Sequence, residues 1–131
     1  MLQARKLSEA GWECIHFCEV DAIHGFEDVR SAGFRVFEMD ADEVTSEQRL
    51  FTSVAEAMSF PDYFGRNWDA LDECLRDMGW SPATGFVLLV RNAEHLWRRH
   101  PRIAGGFLQS WLFSAEEWSQ KNIPFHLIFV W

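Results

Sequence analysis

The acidic residues between positions 60 and 80 are the first candidates for chemistry in this sequence. The stretch reads FPDYFGRNWDALDECLRDMGW and carries five carboxylates, two arginines and two tryptophans. Four of its charged residues recur at helical spacing and therefore share one face of a helix; they are Asp69, Asp72, Glu73 and Arg76. Such a face could be an acid/base pair, a metal site, a solvated surface, or a surface that binds a positively charged partner.

Catalysis is the least favoured of these interpretations. A catalytic carboxylate pair needs two different environments, one that raises a pKa and one that keeps its acid ionised. Asp69 and Glu73 lie one helical turn apart on a face that periodicity predicts to be exposed, and the helix contains no His or Lys. A purely structural account also fits, since Asp69 favours the helix dipole and Asp72 with Arg76 forms an ordinary i,i+4 pair. The sequence therefore predicts a protein that is not an enzyme.

Aromatic side chains beside the same helix favour a binding surface. They are Tyr63, Phe64, Trp68 and Trp80. Aromatic anchors next to charge are typical of the centre of a protein interface. The inward side of the helix is predicted to consist of Trp68 and the apolar residues at 71, 75 and 78, with Cys74 beside them.

A metal or cofactor site is not expected. Cys14, His16 and Cys18 would alternate to one face of a strand, but structural zinc usually needs a second pair of ligands, and none follows. Free cysteine packs as a small hydrophobe, so core packing is the favoured role. Gly105 and Gly106 sit inside a helical pattern and lack the lysine of a phosphate-binding loop.

The net charge is concentrated in one part of the chain. The 131 residues carry twelve Lys and Arg against twenty Asp and Glu, a net charge of −8. Positions 38 to 77 hold eleven of the acids and three of the bases, so this window accounts for the whole excess. Concentrated negative charge repels phosphate backbones and attracts basic partners. Direct nucleic-acid binding is therefore not expected.

Composition indicates a cytoplasmic globular protein. No apolar run reaches the roughly 18 residues that a membrane span needs, and the N-terminal residues lack the apolar segment of a secretory signal. Three cysteines, an odd number, suit a reducing compartment.

Four segments are predicted to be strands. Residues 12–17 alternate loosely, and residues 34–39 are aromatic and β-branched. Residues 85–90, GFVLLV, and the final FHLIFVW are continuous apolar runs, which are typical of buried strands.

Helical patterns fill the intervals between these strands. A capping-box pattern with Thr45 as the cap and Gln48 three residues later predicts a helix that ends at Pro61. Asn67 is the predicted cap of the acidic helix, a short helix is predicted before position 101, and residues 103–121 form a long helical pattern. Helical connections between buried strands predict an α/β domain with a small, mostly parallel sheet.

The segment at 61–75 resembles the signature of the barstar family, the intracellular inhibitors of the ribonuclease barnase. The pattern is a Pro-acid-aromatic-aromatic-Gly turn, then Asn, a hydrophobic residue, Asp-Ala-Leu, a variable residue, an acid, Cys and Leu. The matching residues are Pro61, Asp62, Tyr63, Phe64, Gly65, Asn67, Trp68, Asp69, Ala70, Leu71, Glu73, Cys74 and Leu75. The resemblance implies a three-stranded, mostly parallel sheet packed with helices over residues 34–131. Residues 1–33 would be an N-terminal extension that packs on this domain and can add a strand.

The resemblance also implies a role for individual residues. In the family, the second helix and the loop before it plug a nuclease active site, and their acids take the place of RNA phosphates. By position, Tyr63 would pack against the enzyme, and Asn67 and Trp68 would lie at the rim. Asp69 would pair with a catalytic arginine or lysine, and Glu73 would occupy the central phosphate-mimicking place.

Four further positions, and the residue type at position 73, complete or modify the implied surface. Glu117, near the end of the last helix, would add a contact, and Trp80 flanks the helix. The central acid of the family is typically Asp, whereas Glu73 stands here, and the variable place before it is Asp72. Arg76 adds a cation to the binding face. These departures concern the identity of the target more than the mode of binding.

The implied partner is a basic nuclease. It would be a barnase-like ribonuclease, or a different bacterial nuclease toxin for which this chain is the immunity protein. The alternative is an interaction module of the same fold whose partner is not a nuclease. Electrostatic steering would speed association with a basic enzyme, and high salt would slow it.

Overall fold

A parallel sheet of four strands lies at the centre of the described part of the protein. The computed structural model describes Leu7, residues 13–22 and residues 26–131. The strands are β1 (Ile15–Cys18), β2 (Arg35–Asp40), β3 (Phe86–Arg91) and β4 (Phe125–Val130). They are arranged in the order β1-β4-β3-β2, and every neighbouring pair is parallel. The expected α/β fold is confirmed, and the N-terminal extension does contribute a strand. The predicted start of that strand, at residue 12, lies outside the described residues.

Five helices are described around this sheet. They are α1 (Phe26–Ser31), α2 (Glu47–Met58), α3 (Trp68–Asp77), α4 (Ala93–Arg99) and α5 (Pro101–Gln120), with 3-10 turns at Val20–Ala22 and Ala41–Glu43. The short helix expected before position 101 is α4, and the long pattern at 103–121 is α5, which begins with proline in its first turn. Proline suits that place because the amide it lacks would have no partner within the helix.

The cap of α2 differs from the prediction. The N-cap is Ser46 rather than Thr45, since the Ser46 hydroxyl accepts a 3.2 Å hydrogen bond from the Arg49 amide. The helix ends at Met58, before Pro61, because Ser59 adopts a left-handed conformation with φ of 56°. The predicted cap of α3 is confirmed, because the Asn67 side-chain oxygen accepts a 2.8 Å hydrogen bond from the Ala70 amide.

Helices cover both faces of the sheet. From β2 to β3 to β4 the chain advances in one direction across the sheet, so right-handed crossovers put α2 to α5 on one face. The step from β1 to β2 runs in the opposite direction, and α1 therefore lies on the other face. The two cores agree with this arrangement: Leu88 and Phe129 belong to the larger one, whereas Val87 and Leu89 pack with Phe26 of α1. Strands buried on both faces explain the continuous apolar runs.

Helix α3 is held against α5 by its buried side. Leu71, Cys74 and Leu75 are buried, and the Trp118 indole N–H donates a 2.8 Å hydrogen bond to the Leu75 carbonyl oxygen. Trp68, predicted for the same inward side, is only half-buried. The opposite side of α3 is thereby fixed in place and left facing outward.

Candidate partner-binding surface

The turn before α3 contains two neighbouring aromatic side chains, one buried in the core and one exposed to solvent. Phe64 is buried, and its ring contacts those of Phe51 and Phe60 at centroid distances of 6.4 and 5.0 Å. The Phe64 amide also donates a 3.0 Å hydrogen bond to the Pro61 carbonyl oxygen. Its neighbour Tyr63 is 71% exposed. The turn therefore holds a large aromatic side chain in solvent, next to the start of α3.

Arg66 ties this turn to α2, a contact that sequence reasoning missed. Its guanidinium donates a 3.1 Å hydrogen bond to the Thr52 hydroxyl, and its carbonyl oxygen accepts one of 3.3 Å from the Gln48 side chain. Arg66 has a φ of 53°, a conformation that costs a non-glycine residue free energy and persists where surrounding contacts enforce it. Arg66 thus links the turn to α2 and also places a positive charge on the surface.

The outward side of α3 carries a stripe of three acids. Asp69, Glu73 and Asp77 are exposed and follow each other at intervals of four residues. Asp77 was not among the predicted site residues, although the same spacing in the sequence marks it. The Asp77 carboxylate accepts a 3.2 Å hydrogen bond from the Gly79 amide. Successive turns of one helix therefore display one carboxylate each.

The negative field of this stripe reaches the neighbouring side chains. The pKa of Tyr63 is raised, first by slight desolvation and then by the negative charges of Asp77, Cys74 and Glu73. The pKa of the Cys74 thiol is raised by burial and then by Asp77 and Glu73. Nearby like charge disfavours an ionised form. Tyr63, Glu73 and Asp77 thus belong to one electrostatic neighbourhood.

Asp72 and Arg76 face α5 instead, and they do not form the predicted carboxylate–guanidinium pair. Arg76 donates through Nε to the backbone carbonyl oxygen of Asp72 at 3.1 Å, and through Nη1 to the Glu117 carboxylate at 3.4 Å. Its guanidinium also lies 5.1 Å from the centre of the Phe113 ring. The expected cation of the binding face is therefore directed towards α5 and balanced by Glu117.

Both tryptophans of the site are half-buried and hydrogen-bonded within the fold. The Trp68 indole N–H donates to the Glu47 carboxylate at 3.1 Å, and its ring meets Phe51 edge-on. The Trp80 indole N–H donates to the Met58 carbonyl oxygen at 3.4 Å. Glu47 is a third residue that sequence reasoning missed, because its contact with α3 depends on how α2 packs. Asn67 is exposed at the helix cap.

The other sequence candidates are placed elsewhere. Cys14 is buried and Cys18 is half-buried, while His16 Nε2 lies 2.9 Å from His126 Nδ1. Within residues 13–22 and 26–131, no group of three His, Cys, Asp or Glu side chains is arranged to hold a metal ion. No helix in the described part of the chain has the length and apolar character to span a membrane.

A family model covers most of the chain. The model described as Barstar (barnase inhibitor) matches residues 34–130, which includes β2, the turn at 61–67 and all of α3. No curated protein matches the chain.

Proposed function

The chain belongs to the barstar family of barnase inhibitors, and on this premise we propose that it inhibits a nuclease by covering the active site with the outward side of α3 and the turn before it. The observation that carries the proposal is the exposed stripe of Asp69, Glu73 and Asp77 beside the exposed Tyr63 ring. The site would act by binding a protein and not by catalysis.

The physical basis is phosphate mimicry by a preorganised helix. A nuclease active site gathers Arg, Lys and His side chains around the phosphates of its substrate, and carboxylates form charge-assisted hydrogen bonds with such groups. Leu71 and Leu75 are fully buried and the Asn67 cap is formed, so the backbone that carries the acids is already ordered. Little conformational entropy is then lost on binding.

Five residues of the surface have a proposed contact with the enzyme. Tyr63 packs against the enzyme, with Asn67 and Trp68 at the rim. Asp69 pairs with a catalytic cation, and Glu73 takes the place of the central phosphate. The remaining residues act around this centre. Arg76 is balanced by Glu117 and so adds no uncompensated positive charge to the surface. The Trp80 indole donates to the Met58 carbonyl oxygen and so links the end of α3 to the end of α2. Asp72 lies towards α5.

The proposed partner is a basic nuclease, either a barnase-like ribonuclease or a nuclease toxin for which this chain is the immunity protein. The net charge of −8 supports a basic partner and disfavours direct binding of nucleic acid. We place the inhibitor in the cytoplasm, with residues 34–131 as the inhibitory domain and residues 1–33 as an extension that adds β1 to its sheet.

The experiment is inhibition of a panel of small bacterial nucleases, including barnase-type ribonucleases. The chain is compared with Glu73→Ala and with the control Asp28→Ala, which removes an exposed acid from α1 on the other face of the sheet. We expect inhibition that is lost in Glu73→Ala and kept in Asp28→Ala. Inhibition retained by Glu73→Ala would show that the central acid is wrongly assigned, and no inhibition of any nuclease would favour an interaction module with another kind of partner.

A further inference from the structure

A groove lies beside β2, the outermost strand on one side of the sheet, and α2 forms its other wall. Its volume is about 310 Å³, and its lining includes Glu38, Asp40, Glu43, Ser53 and Glu56. This volume is at the lower end of the range of roughly 300–1,000 Å³ that is common for ligand pockets. None of the residues of the proposed nuclease surface lines it. The groove is therefore a separate feature of the molecule.

Carboxylates from three elements border the groove, and most of them have no cation beside them. Glu38 on β2 forms a 3.1 Å ion pair with Arg91. Asp40, Glu43 and Glu56 are exposed and form no ion pair with any described residue. The groove therefore keeps an excess of negative charge, which attracts a positively charged ligand.

The wall formed by α2 contributes a buried hydroxyl without a partner. Ser53 is only 5% exposed and lines the groove, and its hydroxyl makes no hydrogen bond with any other described residue. Arg49 lies one turn earlier on α2, but its guanidinium donates to the Glu43 backbone carbonyl oxygen. A buried hydroxyl without a hydrogen bond costs free energy, and a donor that entered the groove would remove this cost. The site thus offers a neutral acceptor together with negative charge.

The carboxylates are spread along the groove and do not converge on one point. Glu38 and Asp40 are two residues apart on a strand, a distance of roughly 7 Å, and Glu56 lies on the opposite wall. No three His, Cys, Asp or Glu side chains in the described part of the chain are arranged to hold a metal ion. Met39 and Ala57 add apolar surface to the lining. This arrangement favours a ligand whose positive charges are separated by short apolar segments.

We propose that this groove binds a linear polyamine such as spermidine. The ammonium groups of a polyamine are separated by three or four methylene groups, so they can contact carboxylates on both walls while the methylene groups lie over Met39 and Ala57. One ammonium group donates to the Ser53 hydroxyl, and the others form charge-assisted hydrogen bonds with Glu43 and Glu56. The proposal does not depend on nuclease inhibition, because none of its observations involves α3 or the turn before it.

The test is an NMR titration of the full chain with spermidine at about 0.15 M salt, where long-range attraction to the net negative charge is largely screened. N-acetyl-lysine amide, which carries a single ammonium group on an alkyl chain, and magnesium chloride serve as comparison probes. We expect saturable shifts of the Met39, Ser53 and Ala57 amides with spermidine, and much weaker binding of both other probes. Equal binding of spermidine and the lysine compound, the same shifts with magnesium, or shifts confined to α3 would overturn the proposal.

Two variants locate the contact, and a third serves as control. Ser53→Ala removes the buried hydroxyl and is expected to weaken spermidine binding about tenfold, the effect of one hydrogen bond to a charged group. Glu56→Gln removes an exposed charge and should weaken binding about two- to fivefold. Glu116→Gln makes the same chemical change at an exposed position on α5 and should leave binding unchanged. Equal weakening in Glu56→Gln and Glu116→Gln would show attraction by net charge alone, and unaltered binding in Ser53→Ala would contradict the proposed site.

Discussion

Phe64 and Tyr63 are neighbours in the turn before α3, and alanine at each is expected to have a different consequence. Phe64 is 8% exposed and packs against the rings of Phe51 and Phe60, whereas Tyr63 is 71% exposed. Phe64→Ala should therefore reduce the stability of the fold. Tyr63→Ala should leave stability nearly unchanged and weaken binding of the proposed nuclease.

The magnitudes follow from the burial of the two rings. Replacing a buried Phe by Ala costs about 3–5 kcal/mol, because transfer free energy is lost and a cavity remains. Phe64 lies in a turn at the border of the core, where partial collapse can fill the space, so we expect the lower end, about 3 kcal/mol. A substitution at an exposed position such as Tyr63 usually changes stability by less than about 0.5 kcal/mol.

Urea denaturation followed by tryptophan fluorescence measures this difference directly. The free energies of unfolding of the chain, Phe64→Ala and Tyr63→Ala are compared under one set of conditions. A loss in Phe64→Ala of less than about 1 kcal/mol, far below the usual cost of a buried Phe, would refute the anchoring role of this ring. Equal losses in both variants would show that the turn does not separate an inward from an outward ring.

Two further predictions concern the cap of α2 and the acidic stripe. Ser46→Ala should destabilise the protein by about 1 kcal/mol through loss of the N-cap, whereas Thr45→Ala should have little effect. Urea denaturation measures the free energy of unfolding of both variants, and an equal decrease in the two would contradict the assignment of Ser46 as the cap. Because Asp77 is the largest of the charges that raise the pKa of Tyr63, Asp77→Asn should lower that pKa towards its ordinary value. An ultraviolet absorbance titration of the single tyrosine measures this, and an unchanged pKa would place the two groups further apart.

Much of the fold could be predicted because its signals are local. Residues 85–90 form a continuous apolar run about as long as a typical strand. Such a run is typical of a strand that is buried on both faces. Asn67 precedes an amphipathic segment at the place where a cap is needed, and it does cap α3. The N-cap of α2 was harder to assign, because Thr45 and Ser46 are adjacent hydroxyl residues and only the backbone conformation decides which one caps the helix.

The tertiary partners of the surface charges could not be predicted. Arg76 has Asp72 at the favourable i,i+4 spacing, yet its guanidinium reaches Glu117, which is 41 residues away in the sequence. The contact exists because α3 packs against α5. The spacing of apolar residues predicts which side of a helix is buried, but not which other helix covers it. The same packing brings Trp68 onto Gly106 of α5. Periodicity could have identified Asp77, which simply continues the spacing of Asp69 and Glu73.

The central claim is that the acidic stripe on α3 occupies a nuclease active site in place of substrate phosphates. The most direct measurement is the inhibition pattern of a nuclease from the panel, determined at increasing substrate concentration and repeated with a mononucleotide as competitor. We expect the substrate and the mononucleotide each to compete with the protein, and binding to weaken as salt is raised. Inhibition that is independent of substrate concentration, or a complex that binds the mononucleotide as well as the free enzyme does, would contradict the claim.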